Sequence, residues 1–67
     1  MTNLYFAKFY NHRQNTYTRW IFNSPDRESA ERFASTIADT GDRLVYVNLL
    51  RELPINMPEG GIVEELS

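Results

Sequence analysis

Apolar and polar positions recur along this chain at two different periods, and the change of period divides it into elements. From Asn3 to Tyr10, alternation puts Leu4, Phe6, Lys8 and Tyr10 on one side of an extended backbone and Tyr5, Ala7 and Phe9 on the other. Aromatic side chains suit a pleated surface, so this stretch is expected to be a strand with both faces occupied. The run Asn11, His12, Arg13, Gln14, Asn15 is wholly polar, and its flanking asparagines tolerate the left-handed backbone of a hairpin tip. Thr16 to Phe22 returns to β-branched and aromatic residues, which predicts a second strand antiparallel to the first.

The period then lengthens. Ala30, Phe33, Ala34, Ile37 and Ala38 follow helical spacing and form one narrow stripe, while Glu28 and Arg32 can pair one turn apart on the outside. Ser24 and Pro25 read as the cap and first turn of this helix, with Asp26 and Glu28 near its positive end and Gly41 as its C-terminal cap. From Arg43 to Leu50 the alternation resumes, with Val45, Val47 and Leu49 on one face and Leu44, Tyr46, Asn48 and Leu50 on the other, predicting a third strand. Pro54 closes the packed region. Ile55 to Ser67 scatters apolar residues around Pro58, Gly60 and Gly61, the composition of a segment that is mobile or orders only by docking.

The expected fold is therefore α+β: a three-stranded antiparallel sheet of β-β-α-β connectivity and order 2-1-3, with one helix on one face. The first strand is placed centrally because it is apolar on both sides and lacks the charges that guard an edge. Residues 1–53 form the single domain, and 54–67 a Pro- and Gly-containing acidic tail.

Charge adds a polarity to this picture. Residues 1–23 hold Lys8, Arg13 and Arg19 and no acid, whereas residues 52–67 hold Glu52, Glu59, Glu64 and Glu65 and no base. The net charge of −2 conceals a dipole able to orient a partner or to fold the tail back onto the hairpin. With 67 residues the chain buries only roughly 60% of its unfolded surface and, having no cysteine, obtains its stability without disulfides. A reducing, cytoplasmic setting is expected, since the first residues lack a signal-peptide pattern and no apolar run approaches a membrane span.

A helix with a mostly alanine stripe covers one side of three strands, which leaves the other side apolar and open. If Ala7, Phe9, Val45, Val47 and Leu49 face the helix, then Phe6, Lys8, Tyr10 and Tyr46 lie on the open side, with Trp20 joining them; in the second strand, Trp20 and Ile21 compete for the core. Such a patch marks an interface. The tail, through Ile55, Met57, Ile62, Val63 and Leu66, a second copy of the chain meeting it at the sheet or at the free edge of the third strand, and a different protein are the possible occupants. Aromatics interleaved with Lys8, Arg13 and Arg19 also match the stacking platforms of single-stranded nucleic-acid binders, although the ribonucleoprotein motif with its glycines is missing. Catalysis and cofactor or metal binding are not expected: the one histidine, His12, sits in a polar tip, there is no Gly-rich phosphate loop, and the acids are dispersed.

The arrangement of Thr16 to Phe22, a helix opened by Ser24-Pro25 and carrying Ala30 to Ala38, and then Arg43 to Leu50 resembles very small phage-encoded inhibitor proteins, such as phage inhibitors of bacterial RNA polymerase and compact anti-CRISPR proteins. The resemblance spans about residues 3–51 and lies in element order and size. It implies a host-directed inhibitor or adaptor that blocks a larger bacterial machine by steric and electrostatic contact. The expected anchors are Tyr10, Arg13, Arg19, Trp20 and Tyr46, because Arg, Trp and Tyr dominate interface energies. A single-stranded nucleic-acid binder using the same hairpin is the alternative, and a structural homodimer the third reading.

Overall fold

A computed structural model describes residues 1–66. The elements run β1 (Thr2–Asn11), β2 (Thr16–Ser24), α1 (Arg27–Ile37), β3 (Asp42–Leu53) and β4 (Val63–Leu66). They build one antiparallel sheet of order β3-β1-β2-β4, with β1 inside it as its two apolar faces require. The α+β class and the order of the first three strands match expectation. The strand count does not: there are four, because Val63–Leu66 adds to the outer edge of β2.

The helix covers one face. Tyr5, Ala7 and Phe9 of β1, Phe22 of β2 and Val47 of β3 are buried against Ala30 and Ala34, and Phe33, Ile37 and Ala38 pack at the margin. Alanines at the contact let the helix approach closely, and the Phe22 ring fills the space between Tyr5 and Phe33 at centroid distances of 6.4 and 5.0 Å. Glu28 and Arg32 pair across one turn at 3.3 Å, as do Arg27 and Glu31.

Two helix boundaries differ from the sequence expectation. Strand β2 continues through Ser24, and the N-cap is Asp26, whose Oδ1 accepts the Ser29 amide at 2.7 Å. Gly41 does not cap the helix, which ends at Ile37; its φ of +88° instead serves the turn into β3. The Asp26 carboxyl is held below its ordinary value of 3.8, chiefly by the Ser29 amide hydrogen bond. A depressed carboxyl stabilises the fold above its unfolded value, and that contribution is lost as pH falls through the folded value. Asp26→Ala should therefore lower Tm at neutral pH, with the gap to wild type closing below about pH 4. A gap unchanged at about pH 2 would contradict this role for the charged cap.

Strand β3 carries two irregularities against β1. Lys8 is opposite Tyr46 but Phe9 is opposite Leu44, and Leu4 is opposite Arg51 but Tyr5 is opposite Leu49, so Val45 and Leu50 have no partner. Each is a bulge, and each reverses the alternation beyond it. Val45, expected under the helix, is unpaired at its bulge and 50% exposed, and Leu44 joins the core margin in its place; Leu49 keeps the helix side opposite Tyr5 but is 51% exposed.

Side chains tie the segment after β3 to the sheet. Thr2 Oγ1 donates to the Ile55 carbonyl at 2.6 Å and accepts the Met57 amide at 3.0 Å. Asn23 is buried and donates from Nδ2 to the Pro58 carbonyl at 2.7 Å, while its Oδ1 accepts the Ile62 amide at 2.7 Å. These contacts carry the chain past the ends of β1 and β2 and deliver β4 to the edge, so the tail docks along β2.

Candidate functional site

Cross-strand partners in an antiparallel sheet share a face, so the register sorts every strand residue. On the side away from α1, one row runs Tyr46, Lys8, Arg19 across β3, β1 and β2, and the next runs Arg43, Tyr10, Tyr17. A third contains Asn48, Phe6 and Ile21, and Arg51 stands beside Leu4 at the far end.

Rings and cations interlock in this surface. Tyr10 and Tyr17 meet at 5.0 Å between centroids, Phe6 and Tyr46 stack at 5.9 Å, and the Lys8 Nζ lies 4.5 Å from the centre of the Tyr17 ring. A cation over an aromatic face is attracted by the ring quadrupole, which holds both groups in place. The Tyr10 hydroxyl also hydrogen-bonds Asn15 Oδ1, and Asn15 has the left-handed φ of 55° expected at the tip. Tyr17, Tyr46, Arg19, Arg43 and Arg51 are exposed.

The bulges decide part of this composition. Strict alternation from the buried Val47 would send Arg43 and Arg51 to the helix side; one unpaired residue on each flank returns both to the open side, opposite Tyr10 and Leu4. Lys8, Arg19, Arg43 and Arg51 thus share one face. Acids are sorted the other way. Asp42, Glu52 and Glu65 are opposite Asn11, Asn3 and Trp20 on the helix side, and Glu64, opposite Ile21, is the strand acid on the open side. Among the described residues, both ion pairs lie on the helix, so the four cations of the open face carry no carboxylate partner within bonding distance.

Of the residues singled out in the sequence, Tyr10, Arg19 and Tyr46 fall together on this face. Trp20 does not: it is opposite Ala7 and packs against the core cluster on the helix side, because Ile21 takes the open position beside Phe6. Arg13 is exposed at the hairpin tip, its side chain passing over Gly41. Tyr17, Arg43 and Arg51 escaped sequence reading. Alternation ties Tyr17 to the side of Arg19, but which side that is was decided by the register of β2 against β1, and the two arginines of β3 are displaced by bulges that no local pattern announces.

Family models, curated proteins and solved structures all return no match to this chain. The surface must be read on its own chemistry. Among the described residues there is no enclosed pocket and no cluster of three potential metal ligands, and no helix is long and apolar enough to cross a membrane. The outer edge of β3 is free, but its two bulges break the regular ladder that edge-to-edge pairing would extend.

Proposed function

We propose that this chain is a small non-catalytic binding module that docks through the open face of its sheet onto a partner presenting negative charge. In this reading it acts as an inhibitor or adaptor by occupying a surface of a larger assembly. The observation that carries it is the sorting of charge: in a chain of net charge −2, four cations share a face with one strand acid. A local field of this kind directs association even when the whole molecule is acidic. The exposed rings of Tyr17 and Tyr46 supply contact area at little entropic cost.

Retention on immobilised heparin, a simple polyanion, tests this with a charge-matched control. Arg19→Glu/Arg43→Glu changes the net charge as much as Arg27→Glu/Arg32→Glu does, but only the first pair lies on the open face. The face variant should elute at clearly lower salt and the helix variant close to wild type, the latter exchanging two surface pairs worth about 0.3–0.5 kcal/mol each for like-charge contacts of similar size. Equal shifts in the two variants, or none in either, would remove the open face as the docking surface.

A further inference from the structure

Resting on that reading, we infer that the partner of the open face is a single-stranded nucleic acid, bound with little sequence preference. Cations and exposed tyrosines also serve protein interfaces, but an acidic protein surface makes no use of a flat open platform on which rings and cations adjoin in successive rows. Single strands require both, since their bases are unstacked and their phosphates run alongside. The face has that composition in an ordered pattern: Tyr46 and Arg19 flank Lys8 across three adjacent strands, and Tyr17 and Arg43 flank Tyr10 in the neighbouring row.

Strand spacing sets the scale. Tyr46 and Arg19 are separated by about 10 Å across the sheet, and the two rows by about 7 Å along it. Two exposed rings set among Lys8, Arg19 and Arg43 therefore offer room for two or three stacked bases, the usual load of a small sheet platform. No pocket closes over the rings among the described residues, so the platform suits an extended ligand that slides across it. Duplexes are the poorer fit, because their bases remain stacked on one another and present no free face to Tyr17 or Tyr46. Among the described strand residues, Glu64, diagonal to Arg19 on the added strand, is the acid on this face that opposes phosphate.

Fluorescence anisotropy on the full chain separates the candidates, using labelled single strands of about ten thymidines or uridines, a mixed-sequence duplex of equal length, and polyglutamate as a stand-in for an acidic protein surface. The single strands are expected to bind at least about tenfold more tightly than either of the others. If all four face cations meet phosphates, log affinity should fall with log salt at a slope of about −3, and Arg19→Gln should reduce that slope by about 0.7. Tyr17→Ala and Tyr46→Ala, both at exposed positions, should each weaken single-strand binding about tenfold while leaving heparin retention nearly unchanged. Glu64→Gln should strengthen binding. Trp20 emission should stay constant through the titration, because that ring lies on the helix side.

Equal affinity for the single strand, the duplex and polyglutamate would overturn the nucleic-acid assignment and leave the anion-binding face standing, provided heparin retention still depends on Arg19 and Arg43. Tighter binding of polyglutamate would overturn it in favour of an acidic protein. Loss of the Arg19/Arg43 effect on heparin would reject the face itself, which is the failure of the underlying reading.

Discussion

Phe22→Ala is expected to leave this protein largely unfolded at 25 °C. Phe22 is fully buried, lies between Tyr5 and Phe33, and is opposite both Tyr5 of β1 and Val63 of β4, so its ring joins three strands and the helix. Removing a buried phenylalanine ring costs about 3–5 kcal/mol, from lost transfer free energy and the cavity left behind. Per-residue scaling gives a chain of this length only roughly 3–10 kcal/mol in total. Neighbours have little means of filling the gap, because the helix meets the sheet through Ala30 and Ala34. Urea unfolding followed by far-ultraviolet circular dichroism checks this, with Phe22→Leu as a smaller truncation expected to lose less than the alanine variant because it leaves a smaller cavity. A loss below about 1.5 kcal/mol for the alanine variant would show that the ring does not organise the core.

The second large effect is expected at Asn23→Ala, and it should be local before it is global. The Asn23 side chain satisfies the Pro58 carbonyl and the Ile62 amide, while its backbone exchanges hydrogen bonds with Gly60 and Ile62 at 3.2 Å each. Truncation strips both side-chain bonds from a position 1% exposed. The Pro58 carbonyl keeps the Gly61 amide at 3.0 Å, but the Ile62 amide loses its side-chain acceptor, and a donor left without a partner costs about 1–3 kcal/mol unless water reaches it, so the 58–62 segment should lift to recover solvent. Because β4 is only four residues long and is delivered by that segment, it should detach with it. Hydrogen exchange reads the outcome directly: in the variant the amides of Val63–Leu66 should lose protection while those of β1 keep theirs. Protection retained in β4 would mean that its ladder with β2 holds unaided.

These two positions mark the reach of local pattern. Phe22 ends a run of β-branched and aromatic residues legible as a strand, but its burial under the helix waited on register, because Trp20 was expected on the open side. The helix was equally legible, since Ala30, Phe33, Ala34, Ile37 and Ala38 lie on one stripe whatever the sheet does. Asn23 could not be read in this way. An asparagine after a strand looks like a turn residue, and its role depends on carbonyl and amide groups 35 and 39 residues downstream. The same holds for Thr2, and for Asn11, whose Nδ2 donates to Asp42 Oδ1 at 3.0 Å while its Oδ1 accepts the Arg13 and Gln14 amides.

The open face divides along the same line. Tyr10 and Tyr46 were placed by alternation, which is a property of each strand alone, whereas Arg19, singled out for its residue type, reaches the open side only because Trp20 turns to the helix side. Trp20 was misplaced because both Trp20 and Ile21 are large enough for the core, and the choice is made by register against Ala7 and Phe6. By itself the sequence determined three strands, one amphipathic helix, a polar hairpin tip and a chain with separated charge. Only the tertiary structure decided that the tail would supply a fourth strand, and that bulges at Val45 and Leu50 would turn Arg43 and Arg51 toward Lys8 and Arg19. A bulge exists only relative to the partner strand, and an edge only relative to the rest of the sheet, so both are written in contacts between residues far apart in the chain.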